Sequence, residues 1–310
     1  MNVLVAGGTG FIGTNLCAEL ADRGHEVTAL SRNPESDSES GSLPAGVETA
    51  MGDVGAYDSI AETVAEHDVV FNLVALSPLF KPPGNLTQEG VHLGGTENLI
   101  RAAEAGGVQK FVQMSGLDAD PNGLTAHLRA KGKAEQVVRD SDLEWTIFRP
   151  SVVFGDGAEF IPFTKLVTTP YVTGLPGGGK TRFQPIWVGD LVPILADAIE
   201  DDEHVGQLYE IGGPEVLTLA DVTKLTYEAE GKSVTILPVP MAMAKLGLTV
   251  AGPIPFVPFG PDQADGLRVD NTVSDNGITA FGRREADLLT LRAYLGLEAP
   301  KSEAVATEVA

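Results

Sequence analysis

Residues 2–6 form a short apolar β-type run that flows without a break into Gly7-Gly8-Thr9-Gly10-Phe11-Ile12-Gly13, and apolar residues then recur at helical spacing through residue 23. A strand that turns straight into a helix through four glycines leaves few choices of fold. The early glycines, Gly7 among them, permit the tight turn, Gly10 lets a ligand approach the backbone, and Gly13 lets the helix pack closely on the strand. Free N–H groups in the first helical turn, at Phe11, Ile12 and Gly13, and the helix dipole favour an anion there. The segment therefore predicts a turn that binds a dinucleotide pyrophosphate.

The pattern continues as alternating β and helical runs. Strands are predicted at 26–30, 47–51, 69–74, 110–114 and 146–148, and helices at 57–66, 88–105 and 124–140. This alternation implies an α/β architecture, a Rossmann doubly wound parallel sheet with a smaller C-terminal substrate lobe. A further strand at 207–211 brings the chain back to the sheet after an excursion. The expected division is a dinucleotide-binding domain over 1–155, rejoined around 181–213, a substrate or partner lobe over 156–180 and 214–300, and a disordered tail over 301–310. Residues 33–45, rich in Ser, Glu, Asp and Pro, are expected as a solvated loop beside the adenosine end.

Composition narrows the function. With 43 acidic against 21 basic residues the formal charge is −22, which argues against a nucleic-acid partner. Dense carboxylates keep a protein hydrated in concentrated salt, so a halophilic source is the leading expectation. The single cysteine, Cys17, lies on the first helix and reads as a core thiol. Neither a secretory leader nor a membrane span is expected: the apolar stretch 241–259 is broken by Lys245, Pro253, Pro255 and Pro258. A cytoplasmic location follows, at most peripheral to a membrane. The histidines at 25, 67, 92 and 204 are scattered, and no metal is predicted.

The end of the second strand decides the cofactor. An NAD-specific site places a carboxylate there to take the ribose 2′-hydroxyl, whereas this chain has Ser31-Arg32. A guanidinium suits a 2′-phosphate, so NADP(H) is favoured, with NAD(H) as the alternative.

Beyond these local readings, the glycine turn together with Gly52-Asp53-Val54, Gly95-Thr96-Glu97-Asn98-Leu99, Phe148-Arg149-Pro150-Ser151 and Pro185-Ile186-Trp187-Val188-Gly189-Asp190 resembles the extended and atypical short-chain dehydrogenase/reductases, the NAD-dependent epimerase/dehydratase group. Within it, residues 260–271 are similar to the branch of the nucleotide-binding accessory subunit of respiratory complex I. The resemblance implies that Asp53, next to Val54, bonds the adenine amino group, that Ala75 lines the cofactor cleft, and that Pro150 and Ser151 lie near the nicotinamide.

The same resemblance implies a Tyr and, four residues on, a Lys on one helix face, the Lys holding ribose hydroxyls and the Tyr exchanging a proton. Lys131 occupies the Lys position, but His127 stands where the Tyr belongs. His127 reads three ways: a proton donor, part of a site that binds cofactor without chemistry, or an exposed helical residue. Ser115, closing the fifth strand, falls where the family has a polar group that steadies a carbonyl.

The segments that would set substrate choice, 76–86, 154–179 and 238–259, are rich in Phe, Leu, Pro and Gly. They fit a small apolar substrate or quinone, or a respiratory-complex partner, better than a sugar nucleotide. The first expectation is an oxidoreductase on an apolar carbonyl or quinone-like substrate. Its rivals are a non-catalytic NADP(H)-binding accessory or assembly protein of a respiratory NADH dehydrogenase, and a sugar-nucleotide epimerase/dehydratase.

Overall fold

In a computed structural model, residues 1–33, 43–251 and 261–298 are described. Most of the loop expected over 33–45, the tail over 301–310 and part of the segment 238–259 lie outside them. The chain divides into two compact units, one of residues 1–76, 82–149 and 191–209, the other of 77–81, 150–190 and 210–310.

The first unit alternates strand and helix as the pattern requires: β1 (Asn2–Ala6), α1 (Phe11–Asp22), β2 (Glu26–Ser31), β3 (Glu48–Met51), α2 (Ala61–Ala65), β4 (Val69–Asn72), α3 (Gly95–Gly106), β5 (Lys110–Met114), α4 (Ala126–Arg139), β6 (Glu144–Pro150), α5 (Val188–Glu200) and β7 (Gln207–Ile211). The seven strands form one sheet in the order β7-β6-β5-β4-β1-β2-β3. Ala6 pairs in parallel with both Leu30 and Asn72, and Asn72 with Gln113. This register aligns the carboxyl ends of the strands along one edge, where open α/β sheets bind ligands. The chain order reverses between β1 and β4, and the glycine turn leaves β1 there. One face of the sheet is sealed by Leu4, Leu30, Val70, Phe111 and Ile147 packing with Leu99, Ile100 and Ala103 of α3.

Two predicted helices differ from expectation. Residues 57–66 divide into a 3-10 turn, Tyr57–Ser59, and the five-residue α2, because the Ser59 hydroxyl lies 3.0 Å from Asp53 O and 2.8 Å from Ala56 O and pulls the turn tight. Residues 88–105 begin with a π-helical turn, Glu89–Gly94, before α3. Gly95 abuts Val54, whose Cγ2 would lie 2.8 Å from an added Cβ, so the chain approaches closely here.

The second unit has its own core of Phe154, Phe160, Val222, Leu225 and Leu291. A parallel pair, Tyr171–Pro176 with Val234–Val239, and a helix Leu219–Glu228, closed at its start by a Thr218/Asp221 capping box, frame it.

Candidate active site

At the sheet edge, Gly7 has φ +83°, a conformation that favours glycine, and its N–H donates to Leu30 O at 3.1 Å. Gly13 is required for packing: a Cβ there would lie 2.1 Å from Gly7 O. Gly10 is exposed, and the nearest atom to a Cβ built on it is Gly7 O at 3.3 Å. Gly10 caps α1, whose first turn carries no acidic residue. The N–H groups of Phe11, Ile12 and Gly13 have no acceptor within the helix, which makes this turn a cradle for an anion. The Cys17 thiol is buried against Gly8 O, and burial pushes its pKa up to about 12.

The end of β2 presents half-buried Ser31 and exposed Arg32. Beyond β3, exposed Asp53 accepts the Gly55 N–H on Oδ1 at 2.9 Å. Asn98 of α3 donates to Val54 O at 2.8 Å and so fixes the Asp53-Val54 turn. Ala75 is exposed beyond β4. These residues share one sheet edge in the first unit. Pro150 and Ser151 belong to the second, where Ser151 Oγ lies 2.7 Å from Asn271 Oδ1.

Helix α4 carries the remaining chemistry. Thr125 caps it, its hydroxyl accepting the Leu128 N–H at 3.2 Å, and Gly132 lets it pack on the 119–121 loop, where a Cβ would fall 2.3 Å from Asp120 C. His127, Lys131 and Glu135 follow at four-residue intervals and so share a face. Lys131 is buried and donates to Met114 O at 2.7 Å, leaving two donors without a protein acceptor among the described residues. Burial lowers its pKa to about 8 against the opposing pull of Glu135. Ser115 donates to Glu135 Oε1 at 2.5 Å, and the same carboxylate receives Arg149 and Arg139.

His127 is half-buried, which removes the reading of it as an exposed helical residue, and its Nδ1 lies 3.2 Å from Gln88 Oε1. With the amide oxygen turned to the ring, which only accepts, a hydrogen bond here requires the proton on Nδ1 and leaves Nε2 a lone pair. That Nε2 lies 4.0 Å from the position of a Cβ on Gly116, next to Ser115. Burial, with Lys131 nearby, holds the ring's pKa down at about 3, so it is neutral at ordinary pH. His92, on the π turn, packs edge to face on it with centroids 5.0 Å apart. Burial first, then Lys131 and His127, push its pKa far below the usual histidine range, and its Nε2 accepts the Leu76 N–H at 3.3 Å.

Gln88, His92, Glu135 and Arg149 complete the cluster, and the sequence reading does not single them out as site residues. Glu135 is within its reach, one turn beyond Lys131 in the same series. Behind them Asn72 donates to Thr96 and Gln113 at 3.0 Å each, a buried network joining β4, α3 and β5.

A family profile described as NAD(P)H-binding matches residues 7–165, a span that holds both the glycine turn and the His127–Lys131 helix. The chain belongs to this NAD(P)H-binding family. Over 295 residues it is 30% identical to the Arabidopsis thaliana protein named NADH dehydrogenase (ubiquinone) 1 alpha subcomplex subunit 9, mitochondrial, covering 88% of this chain and 71% of that one. A Mycobacterium tuberculosis 3 beta-hydroxysteroid dehydrogenase/Delta 5-->4-isomerase is 31% identical over 266 residues, covering 74% of this chain and 70% of its own length. The structure of a nucleoside-diphosphate-sugar epimerase from Staphylococcus aureus superposes with a TM-score of 0.73 over 96% of this chain and 100% of the other, at 18% identity, which shows the shared fold. The fold implied by the resemblance to the epimerase/dehydratase group is thereby shown. Among the described residues no helix is long and apolar enough to cross a membrane.

Proposed function

We propose that the chain is an NADP(H)-dependent oxidoreductase that exchanges hydrogen with a small apolar substrate, a carbonyl or quinone-like compound or its hydroxyl counterpart. One observation carries this reading: a neutral His127, one helical turn from a buried Lys131, presents its Nε2 beside the Ser115-Gly116 end of β5.

The residues present fit a dinucleotide, because Gly10 leaves its side of the turn open and Lys131 keeps two donors available. The glycine turn and the start of α1 hold the pyrophosphate, while Ser31 and Arg32 take the 2′-phosphate. Asp53 and Val54 meet the adenine, Ala75 lines the cleft, Lys131 binds the ribose hydroxyls, and Pro150 and Ser151 serve the nicotinamide end. A bound nicotinamide supplies hydride exchange. The chain supplies the place for the proton: His127 Nε2 presents a lone pair to a substrate hydroxyl, and burial with Lys131 nearby keeps that nitrogen unprotonated until substrate binds. In this reading the ring is a proton acceptor, where the sequence left open a donor, a binding-only role or an exposed helical residue. Ser115 commits its own proton to Glu135, so the one proton of a substrate hydroxyl is left to His127 Nε2.

A second reading is a non-catalytic accessory or assembly protein of a respiratory NADH dehydrogenase, peripheral to the membrane. The similarity to the Arabidopsis subunit favours it. Two measurements decide between these readings and test the cofactor. Turnover of bound dinucleotide with a panel of alcohols, ketones, aldehydes and quinones supports the enzyme, and none with any of them supports the accessory protein. NADPH should bind more tightly than NADH, with Arg32→Asp reversing the order; equal affinities unchanged in the variant remove Arg32 from the site.

A further inference from the structure

We infer that Gln88 is a positioning residue that locks the tautomer of His127 and thereby determines which ring nitrogen can take a proton. The inference rests on the reading of His127 as the proton acceptor and names the group that makes it one.

An unconstrained imidazole exchanges its single proton between two nitrogens, and the Nε2–H form has no lone pair left on Nε2. The surroundings of the ring work against that form here. Gln88 is buried at the start of the π turn, and its Oε1 lies 3.2 Å from His127 Nδ1. An amide oxygen offers only lone pairs, so the contact is a hydrogen bond only with the proton on Nδ1. His92 meets the His127 ring edge to face at 5.0 Å, which limits rotation about the side-chain bonds. His92 is itself held, because its Nε2 accepts the Leu76 N–H and its proton must then sit on Nδ1. The π turn sets both contacts. Gln88 stands at its N-terminal cap and His92 one turn further along, so the two side chains reach His127 from successive turns of one element.

The charged and titratable groups around the ring are Lys131 on its own helix and His92 on the π turn, with the exposed Lys133–Glu89 pair joining the two elements at 2.7 Å. Lys131 disfavours a second proton on the ring. It does not choose between the nitrogens, and that choice falls to Gln88.

The test reads the ring directly and needs no substrate. Long-range proton–nitrogen NMR on the full-length protein with labelled histidine, with His127 assigned by its loss in His127→Phe, should show a protonated Nδ1 and an unprotonated Nε2 at neutral pH. Gln88→Leu should bring in the Nε2–H form as a major species. Gln88→Glu, which keeps an acceptor of the same length, should retain the Nδ1–H pattern and raise the His127 titration midpoint by about one pH unit or more, as expected for a carboxylate within hydrogen-bond reach. A wild-type ring already in the Nε2–H form overturns the inference, as does a pattern unchanged in Gln88→Leu. If Gln88→Leu fails to fold, an unmoved midpoint in Gln88→Glu overturns it instead. These outcomes are independent of turnover: a locked ring in a protein that turns over no substrate leaves the inference standing and removes the catalytic reading.

Discussion

Arg149 closes on both carboxylate oxygens of Glu135, with Nε 2.7 Å from Oε1 and Nη2 2.7 Å from Oε2. The pair joins β6 to α4 and compensates a carboxylate that is 2% exposed. Arg149→Met leaves Glu135 with the exposed Arg139 as its remaining ion-pair partner among the described residues. The variant should be less stable by about 3 kcal/mol, the scale for breaking a buried ion pair. Urea denaturation checks it; an unchanged midpoint would contradict the role given to the pair.

The glycine turn separates folding from ligand binding. Gly13→Ala drives a Cβ to 2.1 Å from Gly7 O, a backbone atom that cannot step aside, and should cost about 2 kcal/mol or more of stability. Gly10→Ala meets nothing closer than 3.3 Å and should keep nearly the wild-type melting temperature while losing roughly tenfold or more in NADPH affinity. Calorimetry and fluorescence titration of both variants test this. Equal loss of stability in the two would show that the space at Gly10 serves packing.

The turn is legible in the sequence because strand, glycines and helix are consecutive, and their conflict with a Cβ is local. The partnership of His127 and Lys131 is legible through helical spacing. Gln88, His92 and Arg149 are not, since they reach this helix from the π turn and from β6, far off in sequence, and nothing local marks their side chains as turned inward. The π turn is hidden for another reason: a run such as 88–105 keeps its apolar pattern whether its first turn is α or π. At Tyr57–Ser59, one serine hydroxyl overrides the helical pattern.

Acid should unfold the protein partly through its buried histidines. The folded-state pKa of His127 is about 3 against an ordinary 6.5, and that of His92 is also lowered. Between the folded and ordinary values the unfolded chain binds more protons, so the stability is intact above pH 6.5 and is lost as pH falls toward 3. By about pH 4.5 the loss through His127 is on the order of 3 kcal/mol. Urea midpoints followed from neutral pH down to that point should fall less steeply in His127→Phe than in wild type; parallel curves would contradict the burial of a neutral ring.

A formal charge of −22 implies self-repulsion that added salt screens. The melting temperature should rise as KCl goes from dilute to molar concentration. A melting temperature independent of salt counts against a halophilic origin.

The most direct test of the central claim combines NADPH titration with turnover in wild type, His127→Ala and Lys131→Ala. Lys131→Ala should weaken NADPH binding by about tenfold or more, through loss of charge-assisted contacts to the ribose. His127→Ala should leave binding nearly unchanged and slow turnover by about 10²-fold or more, the scale of general acid–base catalysis. Full turnover in His127→Ala would contradict the account and place the proton on another group.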